Sequence, residues 1–119
     1  AFVRALEEVV DRFLQERGIG VARLLRERSW IPVVSRVTVT LHAPVHMDEM
    51  VHTDFVVDDV LRRVMFDGRM TCWVERDGNQ VVAATARILH GYAVSAGPDA
   101  GNLAEFDDEV IAALRGTES

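Results

Sequence analysis

The stretch Phe2-Val3-Arg4-Ala5-Leu6-Glu7-Glu8-Val9-Val10-Asp11-Arg12-Phe13-Leu14-Gln15-Glu16-Arg17 decides how the rest of the chain is read. Val3, Leu6, Val10, Phe13 and Leu14 recur at the three- and four-residue spacing of a helix with one buried stripe. Glu7, Glu8, Asp11, Arg12 and Glu16 mark its wetter face. The helix ends at Arg17-Gly18-Ile19-Gly20, because glycine accepts the left-handed conformation that stops a helix. From Gly20 to Val94 the texture becomes β-branched and alternating, broken by short turns. One long helix ahead of a meander of long strands predicts an α+β domain, an antiparallel sheet of about five or six strands curled around the 1–17 helix.

Within the meander, Val21 to Arg28 alternates weakly and Ser29-Trp30-Ile31-Pro32 reads as a turn. Val33 to Leu41 is the clearest strand, ending at Ala43-Pro44, where proline removes a ladder donor. Met50 to Arg62 forms the next strand. Val64-Met65-Phe66 leads into Asp67-Gly68, a turn or bulge signal, and Met70 to Arg76 follows. Asp77-Gly78-Asn79-Gln80 is a hairpin turn, because Asp-Gly accepts positive φ. Val81 to Tyr92 closes the sheet. Residues 95–102 form a flexible link to a short C-terminal helix with Phe106, Val110, Ile111 and Leu114 as its apolar stripe.

With 119 residues, 49% of them hydrophobic, the chain holds enough apolar side chains for one core, so 1–119 reads as a single domain. Nothing approaches the roughly 18 consecutive apolar residues that span a bilayer. No membrane partner and a cytoplasmic location are expected. The net charge of −6 argues against a nucleic-acid partner, which needs a basic face. All thirteen basic residues are arginine, a forked donor suited to phosphate wherever a few gather. Cys72, within Met70-Thr71-Cys72-Trp73-Val74, reads as a small core residue, with no His nearby in sequence to activate it. His42, His46, His52 and His90 match no compact zinc spacing and have no cysteine set beside them, so no metal is expected, and no cofactor. His42 and His46 flank Pro44 and read as turn or interface residues. There is neither a Gly-rich phosphate loop nor a Gly-x-Ser-x-Gly elbow.

Three stretches together carry a family likeness. Phe2-Val3-Arg4-Ala5-Leu6-Glu7-Glu8 followed by Gly18-Ile19 is similar to an aromatic-x-Arg-x-x-Glu-Glu central helix. Ala43-Pro44-Val45-His46-Met47-Asp48-Glu49 is similar to a Pro-Ala-x-x-Gly-Asp turn, with Met47 in place of the glycine. Trp73 to Ala83 is similar to an Arg-x-Asp-Gly-x-Leu-Val-Ala hairpin. In this order and spacing the chain resembles the hotdog-fold acyl-CoA thioesterases, especially the branch similar to 4-hydroxybenzoyl-CoA thioesterases. The resemblance implies a first strand ahead of the helix, outside this sequence, with a loop that commonly holds a catalytic or oxyanion-positioning residue.

The implied activity is hydrolysis of an acyl thioester on coenzyme A or on an acyl carrier protein. Such chemistry needs a base or nucleophile at the carbonyl and donors for the developing oxyanion. The helix N-terminus supplies backbone N–H groups and a partial positive charge. By resemblance Glu7 is the catalytic carboxylate, a role that requires partial burial and a raised pKa. The competing reading is a solvated acid on the helix surface, and Glu8 is the substitute, since one helical face cannot hold both. Phe2 stands where the family places an aromatic lining the acyl pocket, and a plain core residue is the alternative. Arg62, Arg63 and Arg69 flank the Val64–Gly68 turn and are assigned to the coenzyme A phosphates, against solvated strand-end arginines. By resemblance two protomers pair edge to edge into a homodimer, with a dimer of dimers as the further step. The rival functions are a non-catalytic acyl-thioester-binding module and a hotdog dehydratase or hydratase. The latter usually carries a His–Asp or His–Glu pair around the helix, and no His lies within it here. A polyketide cyclase-like pocket is neither supported nor excluded.

Overall fold

The apolar stripe of the leading segment forms a helix, α1 (Phe2–Glu16), in the computed structural model, which describes residues 2–116 and only the backbone of Phe2. Leu6, Val10, Phe13 and Leu14 are buried, whereas Val3 stays exposed. Gly18, at φ +77°, lets the chain reverse so that the Ile19 amide donates to the Leu14 carbonyl at 3.0 Å.

The next segment departs from expectation. Val21–Arg28 is a second helix, α2, not alternating strand sequence. Val21, Leu24, Leu25 and Arg28 have helical spacing, Leu24 is buried, and Arg23 donates to Glu27 one turn on at 2.6 Å. Ser29, in the left-handed region at φ 57°, caps α2 through its amide to the Leu25 carbonyl.

Four strands follow: β1 (Trp30–Leu41), β2 (His52–Leu61), β3 (Met65–Arg76) and β4 (Asn79–Val94). All pair antiparallel in the order β1-β4-β3-β2. Among the described residues the sheet therefore has four strands rather than five or six, because 21–28 is helical. Trp30-Ile31-Pro32 is already strand, and Asp67-Gly68 lies inside β3. The expected break falls elsewhere. The β2–β3 turn is made at Arg62 and Arg63, both with positive φ, and the register shift lies on β2 between Val57 and Asp59. Asp77 (φ 53°) and Gly78 (φ 77°) make the two-residue β3–β4 hairpin turn.

One sheet face carries Phe66, Met70 and Cys72 of β3 and Ala84, Ala86 and Ile88 of β4, all buried beneath α1. The two alanines are short enough for a helix to lie close over the sheet centre. Burial pushes the Cys72 thiol pKa up, as suits an inert core residue. The opposite face is charged: Asp58 accepts from Arg69 and Arg87 at 3.0 Å, and Asp67 accepts from Arg87 at 3.2 Å. The chain ends in α3 (Asp108–Arg115), capped by the Asp107 carboxylate accepting from the Val110 amide at 3.0 Å. Val110, Leu114 and the preceding Phe106 are buried. Among the described residues no helix is long and apolar enough to cross a membrane.

Candidate active site

Helix α1 has two flanks. On one, Val9, Arg12 and Phe13 border Thr53 and Phe55 of β2, and the Phe13 and Phe55 rings meet edge to face at 4.9 Å. On the other, Asp11 and Gln15 border α2 across a cavity of about 390 Å3 that Arg23 and Arg26 also line. Residues four apart lie on one flank of a helix. Val3 and Glu7 therefore extend the Asp11–Gln15 row toward the helix start, beside the buried stripe. Glu8 is rotated roughly 100° further out and stands 3.8 Å from Arg4.

That second flank faces the β1 side of the sheet, since β2 occupies the other edge. Val37, Val39 and Leu41 of β1 pair with Ile88, Ala86 and Ala84, all of which are buried under the helix. The three β1 side chains therefore project to the helix side as well. Yet Val37 is 39% exposed and Leu41 70% exposed. The result is a trough on the helix side of the β1 edge: an apolar strip left partly open, on the side of the sheet toward which the Val3–Glu7 row of α1 is turned. Glu7 itself is exposed in the single chain.

A helix laid over an antiparallel sheet is an arrangement shared with known proteins. The family model described as the thioesterase-like superfamily matches residues 1–114. The chain belongs to the thioesterase-like superfamily. Among solved structures it is similar to a 4-hydroxybenzoyl CoA thioesterase variant complexed with 4-hydroxybenzoyl CoA, at TM-score 0.82 and 13% identity, covering 95% of this chain and 81% of that one. The 4-hydroxybenzoyl CoA thioesterase from Pseudomonas sp. strain CBS-3 superposes at TM-score 0.77 with 15% identity, over 94% of this chain and 81% of that one. The dynemicin thioesterase gives 0.78 and 16%, over 95% and 78%. At these identities the likeness is one of fold, and the fold is the hotdog. No curated protein matches the chain.

The three arginines of this thioesterase-like chain are not gathered. Arg63 donates through Nε to the Phe106 carbonyl at 3.1 Å and through Nη2 to Asp108 at 2.9 Å. Arg69 grips Asp58 with two bonds of 3.0 and 3.1 Å on the charged face. Arg62, exposed at the β2–β3 turn, has no ion pair among the described residues. The Phe2 side chain lies outside the described residues.

The histidines are scattered. His42 Nε2 lies 2.9 Å from the Thr85 hydroxyl, His52 stacks on Trp73 at 4.3 Å, and His46 adjoins Glu49. Among the described residues no group of three or more His, Cys, Asp or Glu is placed to hold one ion.

Sequence reasoning missed the clamp that shapes the connection from β1 to β2. Arg76 donates through Nε to one Glu49 oxygen at 2.7 Å, and through Nη2 to the other and to the Pro44 carbonyl, each at 2.6 Å. The His46 amide adds a bond of 2.7 Å to Glu49. These bonds, the Arg76 guanidinium first, hold the Glu49 carboxyl down to about 2. Glu49 and Arg76 lie in two of the motifs quoted above, but nothing in their spacing joins them. Met47, where the resemblance has glycine, projects wholly into solvent from this loop.

Proposed function

We propose that this chain hydrolyses an acyl thioester carried on coenzyme A or on an acyl carrier protein, with Glu7 as the catalytic carboxylate. The observation that carries the reading is the trough: an apolar strip open along the sheet edge, on the side toward which the Glu7 flank of α1 is turned. In this reading the acyl group lies over Val37, Val39 and Leu41. Glu7 takes a proton from water as the water oxygen attacks the carbonyl carbon. The carbon–sulfur bond then breaks, and the proton passes from Glu7 to the departing sulfur, leaving free acid and thiol. Alternatively the carboxylate itself attacks, and the thiolate leaves and takes a proton from solvent. Water then hydrolyses the resulting anhydride to release the acid and restore Glu7. The N-terminal end of this helix, wherever the full protein starts it, presents N–H groups and a partial positive charge that stabilise the developing oxyanion.

A general base needs burial that the single chain does not give Glu7. A second chain, paired edge to edge along β1, supplies it by covering the trough, and two such dimers pair further. The unpaired N–H and C=O groups of a twelve-residue edge strand favour such pairing. Arg62 is the phosphate ligand of choice, because Arg63 and Arg69 are already held by carboxylates; these two join it only if substrate displaces Asp108 or Asp58. A cytoplasmic location suits the same carriers, and the solved relatives named as coenzyme A thioesterases support the class of reaction.

The test is free-thiol release by the full chain on a panel of acyl-coenzyme A and acyl-carrier-protein thioesters. Glu7→Gln is expected to lower kcat by about 10²–10⁴, and Glu8→Gln to leave it near wild type. A folded, dimeric Glu7→Gln with unchanged turnover removes Glu7 from the chemistry. A folded wild-type chain that binds these thioesters but cleaves none is a binding module instead.

A further inference from the structure

The part of the core the proposed chemistry leaves unused is an aromatic series on β4. The Phe66 and His90 rings stack with centroids 4.9 Å apart, and His90 meets Tyr92 edge-on at 5.0 Å. Tyr92 then packs on Trp30 at 5.5 Å and on Phe106 at 6.1 Å. Arg28 lies over the outer face of Trp30, 5.0 Å from the ring centroid. His90 is 4% exposed and Tyr92 fully buried. Among the described residues neither ring nitrogen of His90, nor the Tyr92 hydroxyl, has a hydrogen-bond partner. A buried polar group without a partner is costly, and a charge there far more so.

The charged groups around His90 offer no counter-ion inside. On β1 its partner is Val34, and on β3 it is Phe66. Neighbouring Arg36, Asp67 and Arg69 belong to the opposite, solvated face. On α1 the nearest influence is Asp11, which acts on Tyr92. Arg28, Arg63 and Arg23 are taken up by Asp107, Asp108 and Glu109 at the surface. Burial alone sets the behaviour of His90, pushing it down to about 4.

The C-terminal segment covers one end of this series, with Phe106 set against Tyr92. Residues 95–107 contain no helix or strand beyond one isolated bridge from Leu103. Near the start of this stretch the Ser95 amide donates to the Ser29 carbonyl, and residues 101–102 bond to Val94. Further on it is tied by the Ala104 amide on the Tyr92 carbonyl at 2.8 Å, by Phe106 on Arg63, and by ion pairs of Asp107, Asp108 and Glu109 that hold the eight-residue α3 at the surface. Short segments with few backbone bonds open first.

We propose that His90 makes the C-terminal segment 102–116 an acid-sensitive clasp: protonation of its imidazole in the closed core lifts Phe106 and α3 off Tyr92 while the sheet stays formed. Opening lets water reach the imidazolium and frees Arg63 from Phe106 and Asp108. The folded state disfavours the charged ring, so the clasp is tightest above the ordinary histidine range and loosens as pH falls from about 6.5 toward 4. Carboxylate protonation weakens the fold too, but for Glu49 only in a lower window, below about 4.5.

The experiment uses the full chain. NMR titration of the His90 ring, hydrogen exchange along the backbone and limited proteolysis are compared between pH 7.5 and 4.5, in wild type and His90→Phe. The expected result is a ring that titrates well below 6.5, with the opening equilibrium of 95–116, read from cleavage at matched protease activity and from exchange after division by the pH-dependent intrinsic rate, rising about a hundredfold in wild type. The same segment should stay protected in His90→Phe, which keeps the ring shape without the nitrogens. A His90 that titrates normally while the segment stays closed overturns the proposal. So does an acid profile that His90→Phe leaves unchanged, or simultaneous opening of clasp and sheet. Should His90→Phe fail to fold, the wild-type titration and exchange pattern decide alone.

Discussion

Arg76 holds Glu49 through the Nε and Nη2 edge of its guanidinium, and through that one pair the end of β3 fixes the connection between β1 and β2. One Nη2 also reaches the Pro44 carbonyl, so both sides of the 42–50 loop hang from one side chain. Bidentate arginine–carboxylate pairs are geometrically specific as well as strong, and a lysine cannot reproduce the fork. Arg76→Lys is therefore expected to loosen the loop almost as much as Arg76→Ala, seen as faster hydrogen exchange at His46 and Glu49. Full retention of protection in Arg76→Lys would show that a point charge suffices. The pH dependence has a definite sign. Because the Glu49 carboxyl is held to about 2 in the folded chain, its contribution is complete above its ordinary value near 4.5 and is lost as pH falls toward 2. Denaturant titrations below pH 4.5 should show a shallower acid limb in Glu49→Gln than in wild type.

Gly68 is required by its neighbours rather than by its backbone. A Cβ there would run into the Phe55 ring and come within 3.2 Å of the Ile88 Cγ2. The Phe55 ring is held from the other side by Phe13, so it has little room to yield. Gly68→Ala is expected to cost about 1–3 kcal/mol, the usual range for overpacking. Phe55→Leu should recover part of that loss. A double-mutant cycle between the two positions reads the coupling directly, and zero coupling would place the strain elsewhere.

Gly78 presents the converse case. It sits at φ +77°, and a methyl group added there would meet nothing within 4 Å, so any cost of Gly78→Ala is conformational. About 1–2 kcal/mol is expected, the penalty of a left-handed L-residue. The chemical denaturation midpoint should fall with an unchanged m-value. A neutral result would mean that the hairpin shifts to another turn type.

The α1 stripe and the Asp77-Gly78 turn were legible in the sequence because their information is local: a periodicity and a positive-φ dipeptide. The helix at Val21–Arg28 was not, since its eight residues make only about two turns, too short a window for a helical period to stand out beside the strand-like sequence that follows. Asp67-Gly68 misled for a different reason. The glycine answers to Phe55 across the sheet, and no local rule sees that ring. At the candidate site, Glu7 was legible as a helix position by resemblance. The apolar strip facing its flank was not, because it follows from the pairing of β1 with Ala84, Ala86 and Ile88. The carboxylates that occupy Arg63 and Arg69 likewise come from distant segments.

Leu41 separates the fold of one chain from the assembly proposed for it. The side chain is 70% exposed at the end of β1, so removing it costs a lone chain little, within about 0.5 kcal/mol as for most surface positions. If a second copy covers the trough, however, Leu41→Arg buries a guanidinium in an apolar interface, where an unpaired charge is strongly unfavourable. The expected outcome is a chain with near-normal secondary structure that sediments as a monomer and has lost thioester turnover. Because dimer stability depends on protomer concentration, the wild-type thermal midpoint should rise with concentration and that of Leu41→Arg should not. A Leu41→Arg chain that remains dimeric and active would show that the β1 edge is not where two copies meet, and Glu7 would then need its cover from elsewhere.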